Sequence, residues 1–306
     1  MSLISLLIAL AAERYLSSPA WQFSSYFSRY LKLFKSFSAL GSPDKTLIAN
    51  SVFILVPVIA CYFLLNLVEN SLLQIVLSTI VLIACFGCVK TRDTYKEYLM
   101  AAFRGESTTC DMHHKQLLQD KKLSEMAFGH MLIWLNYRYF IAIMIFFVIF
   151  GAPGALFYRL VCKLNEEKTL HKEPEVNQEP ELKEEVVEHE LVIDNEIADQ
   201  AENTQVSDFN QQLLFWLDWL PVRLVSFGYM LVGHFSRALP VWLENLFDIG
   251  KSPHQILIDV AVKSEDFMVD QDDCTAEPCL LVRLAKRSLL LCLAVIAMLI
   301  LTGVIS

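Results

Sequence analysis

From Leu47 to Val68 the chain runs for twenty-two residues without a charged side chain. A helix of that length reaches about 33 Å, enough to cross the roughly 30 Å hydrocarbon core of a bilayer. In lipid the backbone must satisfy its own hydrogen bonds, so an uninterrupted apolar run of this length specifies a helix. Pro57 lies inside it and predicts a kink. Three more runs follow: about Leu72 to Val89, Tyr139 to Val161, and Ser288 to Ile305. The polar turn at Asn66, Glu69 and Asn70 joins the first two as a hairpin. The third contains GAPG at 151–154, tolerated where neighbouring helices satisfy the freed backbone. The expected fold is therefore all-α, a polytopic membrane bundle of about four transmembrane helices with amphipathic or re-entrant helices beside them.

The charge balance contradicts this at first sight. The chain is 55% hydrophobic, yet it carries 34 acidic against 25 basic residues, a net charge of -9. Between Lys163 and Asp208 stand fifteen acidic residues and four lysines, so everything outside that stretch sums to +2. With Pro174, Pro180 and no aromatic residue, the stretch cannot bury enough surface to offset chain entropy, and it reads as a disordered tether over 162–208. An overall acidic chain excludes a general nucleic-acid binder, which must neutralise phosphates.

Basic residues flank the first hairpin and are missing from its turn. Arg29, Lys32, Lys35 and Lys45 precede it; Lys90, Arg92, Lys96 and Arg104 follow. Both flanks belong in the cytoplasm by the positive-inside rule, which places the N-terminus there too. The third span then exits and carries Arg159 and Lys163 outward, against that rule. Residues Ser2 to Ala12 form a short apolar helix in or dipping into the interface. Ala20 to Leu40 interleaves aromatics with basic residues, as an amphipathic helix on an anionic surface or one packed on the protein. Phe209 to Phe235 is long enough to span but carries Asp218, Pro221, Arg223 and His234, so crossing and lying flat both stay open.

Seven further readings concern chemistry. Cys85 and Cys88 match the CxxC spacing inside an apolar run, where no thiolate is accessible. Cys274 and Cys279 sit in an acidic loop, disulfide-bonded or free according to its compartment. Cys110, His113 and His114 are ligand types, but a structural zinc site needs a fourth, so no metal is expected. Gly250-Lys251-Ser252 ends like a phosphate-binding loop, with Asn245 where that pattern needs Gly and Pro253 where helix should continue. No Ser/His/Asp arrangement is specified by spacing, and no cofactor is expected. Two polar clusters remain: Asn136, Tyr137 and Arg138, and Asp218, Arg223 and His234. Intramembrane ionisable groups mark functional sites; the structural alternative is an Asp218–Arg223 ion pair across Pro221. Five residues apart on a straight helix, those two side chains point about 140° apart.

The residues LDWLPVRL at 217–224, GH at 233–234 and ALPVW at 238–242 resemble the AmpE family of inner-membrane proteins associated with β-lactamase regulation. Glu13-Arg14 and WLNYR at 134–138 fit the same family. The likeness covers nearly the whole chain outside the acidic stretch, which looks like an insertion. That family in turn is similar to the CobD/CbiB cobalamin-pathway synthases, which join an aminopropanol-type arm to the corrin ring. GAPGALFYR at 151–159 and LPVRL at 220–224 look like their GAPGALLYR and LPARL elements. The chain has GESTTCDMHH where their GRDT element belongs, and a single Asp218 where they have paired acids.

The resemblance implies a multi-pass inner-membrane signalling protein, more regulator than enzyme, acting in the response to β-lactams or cell-wall damage. Its partners would be the bilayer and a cell-wall-derived ligand or regulatory protein. The alternative is a divergent CobD/CbiB-like enzyme forming an amide on an amphiphile. The candidate polar cluster is Asp218, Arg223, His234, Asn136, Arg138, Glu13 and Arg14, supported by Pro221, Gly151, Pro153 and Gly154. The expected units are interfacial helices at 1–46, a transmembrane hairpin at 47–89, and a basic cytoplasmic segment at 90–138. A span at 139–161 and the tether at 162–208 follow. Then come an amphipathic or re-entrant segment at 209–249, a polar segment at 250–287, and a final span at 288–306.

Overall fold

The computed structural model describes residues 2–15, 22–37, 43, 46–87, 89–168, 190–265 and 275–303; within them the side chains of 2, 14, 37, 89, 168 and 190–205 are left aside. Twelve helices account for the regular structure of these residues, joined after α7 by one π-helical turn. They are α1 (Ser2–Tyr15), α2 (Phe23–Phe37), α3 (Leu47–Leu67), α4 (Ser71–Cys85), α5 (Val89–Phe103), α6 (Ser107–Lys121) and α7 (Phe128–Asn136). After the turn at Tyr137–Ile141 come α8 (Ala142–Lys168), α9 (Glu190–Val232), α10 (Phe235–Leu246), α11 (Pro253–Ser264) and α12 (Ala276–Leu301).

The apolar run at 47–68 is one helix, as its composition requires. Thr46 caps it, its hydroxyl accepting the Ala49 amide at 3.2 Å, and Pro57 sits inside. The second run is shorter than expected. α4 stops at Cys85, so its 15 residues reach about 22 Å, and α5 continues at 45° to it. Among the described residues, α3, α12 and the helical run Phe128–Glu167 are long and apolar enough to cross a membrane; α4 with α5 would be a fourth, broken span. The chain is thus an all-helical, multi-pass membrane protein.

The run from Phe128 to Glu167 does not follow the expected path through 139–161. Tyr139 donates a hydrogen bond to Glu166 at 2.6 Å, the Arg159 guanidinium lies 4.4 Å over the Tyr139 ring, and Phe146 stacks on Tyr158 at 4.8 Å. On a straight helix residues 139 and 166 would stand about 40 Å apart. The chain therefore folds back on itself. The reversal is at Gly151, whose φ of 70° and ψ of -163° are open to glycine and strained for any L side chain. Pro153 begins the return arm. Gly154 lets the arms close: a Cβ there would meet Phe150 Cβ at 2.4 Å and the Phe146 carbonyl at 2.7 Å. The sequence element GAPG is the tip of a helical hairpin whose arms run back alongside each other. Arg159 and Lys163, expected opposite the basic segment, share a cavity with Lys90 and Lys121.

Three other boundaries move. The tether expected over 162–208 is helical at both ends, α8 continuing to Lys168 and α9 beginning at Glu190, while 169–189 lie outside the described residues. Glu, Ala and Gln are good helix formers, and Val206, Ser207 and Asn210 anchor the helix by burial. The final helix starts at Ala276 rather than Ser288, because its first turns pack on α7: Leu281 and Pro278 lie against Gly129. Residues 128–138, expected in a cytoplasmic segment, are the start of the hairpin.

α9 falls outside the helices apolar enough to span. Phe209, Trp216, Leu220, Leu224, Phe227 and Leu231 form an exposed apolar stripe along it, while Leu214, Asp218, Val222, Val225 and Tyr229 face inward. α10 returns along α9, with the Trp242 indole donating to the Arg223 carbonyl at 3.2 Å. α11 packs across both. For α2, the packed alternative holds: Phe23 and Phe27 are buried, and Tyr30 and Phe34 close on Phe53 of α3. Arg29, Lys32 and Lys35 are exposed.

Candidate functional site

Asp218 and Arg223 do not pair. The Asp218 side chain is 2% exposed, and one carboxylate oxygen accepts two hydrogen bonds, from the Tyr137 and Tyr158 hydroxyls, each at 2.8 Å. Those tyrosines belong to the two arms of the hairpin, so a single carboxylate ties α9 to both. Arg223, on another side of α9, donates to the carbonyls of Trp219 (2.9 Å), Leu246 (2.6 Å) and Asp248 (2.6 Å) and lies over the Trp219 ring. Its charge sits at the C-terminal end of α10, where a helix dipole favours a cation. Pro221 is buried between them. His234 follows the end of α9, where its backbone N–H donates to the Ser264 carbonyl at 2.8 Å. The cluster Asp218, Arg223 and His234 is therefore three separate places.

The other cluster also divides. Asn136 turns toward a cavity of about 420 Å³ between α5, α7 and α12, lined by Glu13, Arg92, Lys96 and Lys286 as well. There the Glu13 carboxylate pairs with Arg92 at 3.1 Å; the Arg14 side chain lies outside the described residues. Arg138 faces the opposite way and shares a cavity with Asp218. One member of each cluster thus meets the other, which the spacing of 80 positions could not show.

That cavity, about 540 Å³, lies between the α6–α7 turn, α7, the end of α8, the inner face of α9 and the N-terminus of α11. Its apolar wall is Leu123, Met126, Trp134, Leu214 and Phe215; its polar wall includes Lys121, Lys122, Arg138, Glu166, Asp218, Ser252 and His254. The Arg138 guanidinium is 5.1 Å over the Trp134 ring, and the same ring meets His254 edge-on at 5.9 Å. Arg138 Nε and Ser252 Oγ are buried with no hydrogen-bond partner. Burial, and then the charge of Arg138, lowers the His254 pKa below its ordinary value, which keeps the imidazole neutral near pH 7. Lys122 is lowered too, by burial first and Lys163 second.

Glu166 forms the wall between this cavity and a smaller one of about 250 Å³ that Arg159, Lys163 and Lys90 line. It accepts from Tyr139, pairs with Lys163 at 3.3 Å and stands 3.7 Å from Arg159. Sequence reasoning missed Glu166 because it begins the acidic stretch and looks like its neighbours. Its lysine three residues earlier was the available signal. Tyr158 was missed although it lies within GAPGALFYR.

The remaining candidates turn to local partners. Cys110 lies 3.7 Å from the Tyr98 carbonyl, His113 3.7 Å from Glu97, and His114 2.8 Å from the Met126 carbonyl. Cys85 is buried, and Cys88 and Cys274 lie outside the described residues; Cys279 meets the Tyr95 hydroxyl at 3.6 Å. In the loop 250–252, Lys251 reaches Asn245 at 3.0 Å and also pairs with Asp259.

This architecture can be set beside known proteins. A family model described as "Regulatory signalling modulator protein AmpE" matches residues 1–167 and 199–306, both hairpin arms and every wall of the cavity included. The chain belongs to the AmpE family. The part passed over, 168–198, falls within the acidic stretch that reads as an insertion. Protein AmpE of Shigella flexneri is 24% identical over 318 residues, covering 99% of each chain. No solved structure matches. Family and apolar helices together make this a regulatory, multi-pass membrane protein of the AmpE family.

Proposed function

We propose that the protein modulates β-lactamase induction from the inner membrane, in the response to β-lactams or cell-wall damage, with its N-terminus in the cytoplasm. The observation that carries this is the family match over both ends of the chain, 1–167 and 199–306. Orientation is supported by the basic residues Lys90, Lys121, Arg159 and Lys163 around one cavity and by the α3–α4 turn at 68–70, which has none. The signal is a cell-wall-derived ligand or a regulatory protein; no cofactor or nucleic acid is invoked.

The mechanism is a population shift. Asp218 ties α9 to both hairpin arms at the edge of the large cavity, so an occupant that favours one arrangement of α9 against the hairpin redistributes the two. The test is a deletion strain complemented with wild type, Asp218→Asn or Arg138→Met, measuring β-lactamase activity against β-lactam concentration and growth without supplied corrinoid. Wild type should restore the induction curve and the variants should shift it. An induction curve unchanged by deletion, alongside a new corrinoid requirement, refutes the proposal and assigns the amide-forming alternative.

A further inference from the structure

We infer that the cavity between Arg138 and the N-terminus of α11 binds a phosphate-type anion, the phosphomonoester end of a ligand whose remainder is apolar. This goes beyond the regulatory reading and does not depend on which response the protein modulates.

Three observations converge there. The first is a pair of orphan donors. Arg138 and Ser252 line the cavity, and the Nε of one and the Oγ of the other are buried with no hydrogen-bond partner. Leaving a buried donor unpaired costs more than a hydrogen bond returns, and most of all for a charged group. Arg223 shows the contrast, its guanidinium donating to three carbonyls. The Arg138 guanidinium feels the charges of Asp218 and Glu166 and lies over the face of Trp134, which attracts a cation without satisfying its N–H groups.

The second is charge. Lys121, Lys122 and Arg138 line the cavity against Glu166 and Asp218. Asp218 accepts two neutral tyrosine hydroxyls and is offset by the charge of Arg138, while Glu166 is held by Tyr139, Lys163 and Arg159. Three cations against two carboxylates leave the cavity lining a surplus of one positive charge. The depressed amine of Lys122, desolvated and repelled by Lys163, adds to the gain an anion would bring.

The third is the twelve-residue helix α11. Ser252 stands at its N-cap position and Pro253 at its first turn, yet the serine hydroxyl makes no capping bond to its own helix. A helix N-terminus with a free hydroxyl beside a guanidinium is a favourable place for an anion. His254 connects the two through Trp134.

Geometry selects phosphate over carboxylate. The donors arrive from three elements: the α6–α7 turn with Lys121 and Lys122, the hairpin's first arm with Arg138, and α11 with Ser252. A planar carboxylate offers two oxygens in one plane. A phosphomonoester offers three in a tetrahedral fan and up to two charges. The volume of about 540 Å³ exceeds a phosphate group, and Leu123, Met126, Leu214 and Phe215 suit an apolar remainder.

The phosphate can come from a soluble phosphomonoester or from a lipid headgroup, and the experiment separates them. Full-length protein is placed in phosphatidylcholine nanodiscs, with and without phosphatidic acid. Binding of radiolabelled inorganic phosphate and glycerol 3-phosphate is measured by equilibrium dialysis, and the unfolding midpoint is followed in both lipids. Saturable one-site binding of the soluble anions, or a midpoint raised by phosphatidic acid alone, supports the site and names its source. In either case Arg138→Met should weaken binding by about tenfold or more, as loss of a charge-assisted hydrogen bond does. Ser252→Ala should weaken it severalfold, and Lys32→Met on exposed α2 should leave it unchanged. If Arg138→Met fails to fold, Ser252→Ala and Lys122→Met carry the test. Absence of binding from both sources, affinity unchanged in the folded cavity variants, or equal affinity for acetate overturns the inference.

Discussion

Replacing Asp218 by alanine tests how the structure holds α9 to the hairpin. The wild-type carboxylate oxygen accepts from Tyr137 and Tyr158 at 2.8 Å each, and both tyrosines are 0% exposed. A hydrogen bond to a charged acceptor contributes about 1.5–3 kcal/mol, and a buried hydroxyl left without a partner incurs a similar desolvation cost. Asp218→Ala orphans two hydroxyls at once, while removing the cost of burying the carboxylate, so the net loss is about 3–5 kcal/mol. Asp218→Asn keeps an acceptor in the same place and should lose only about 1–2 kcal/mol. Tyr137→Phe should cost about 2 kcal/mol in the wild-type background and about zero once Asp218 is alanine, because the hydroxyl it removes is by then unpaired. Equilibrium unfolding in mixed micelles, read as a double-mutant cycle, measures each value. A loss below about 1 kcal/mol for Asp218→Ala, or a Tyr137→Phe cost equal in both backgrounds, refutes this account.

Three further expectations follow from the fold. Reporter fusions truncated after Leu123 and after Glu167 should lie in the same compartment, since both residues bound the hairpin; opposite compartments would restore a single crossing. At the hairpin tip, Gly151→Ala should cost about 1–3 kcal/mol for a φ of 70° with ψ of -163°. Gly154→Ala should cost at least as much, since its Cβ would stand 2.4 Å from Phe150 Cβ, and a Gly154→Ala protein as stable as wild type contradicts the closed arms. His254 has a depressed folded pKa, so the unfolded chain takes up its proton first as pH falls below about 6.5. Its contribution is therefore complete above that pH and lost as pH falls through the folded value. His254→Asn should flatten the fall in unfolding midpoint between neutral pH and mildly acidic pH, and an unchanged slope would place the titration elsewhere.

The apolar run at 47–68 and the helical end of the chain were legible because transfer into lipid is summed residue by residue, and a helix closes its own hydrogen bonds. No distant partner enters that sum. The same local reasoning found Asp218, Arg138 and the GAPG element, each a polar group or backbone breaker in an apolar setting. It could not say what they do. Charge alone matched Asp218 with Arg223; the structure instead gives the carboxylate to tyrosines 60 and 81 positions away and the guanidinium to the end of α10. Gly151 was visible as a break, but a break does not state a direction. The reversal exists because Phe146 finds Tyr158 and Tyr139 finds Glu166 across the arms. Ser252 looked like a fragment of a nucleotide loop, and only the packing of α11 against α7 and α9 sets it in a cavity with Arg138. The sequence by itself determined that this chain is a membrane helical protein and which polar residues it tolerates there. Tertiary structure decided which of them meet, because a buried polar group takes its partner from whatever packing brings within about 3 Å, and that neighbour is set by the whole fold.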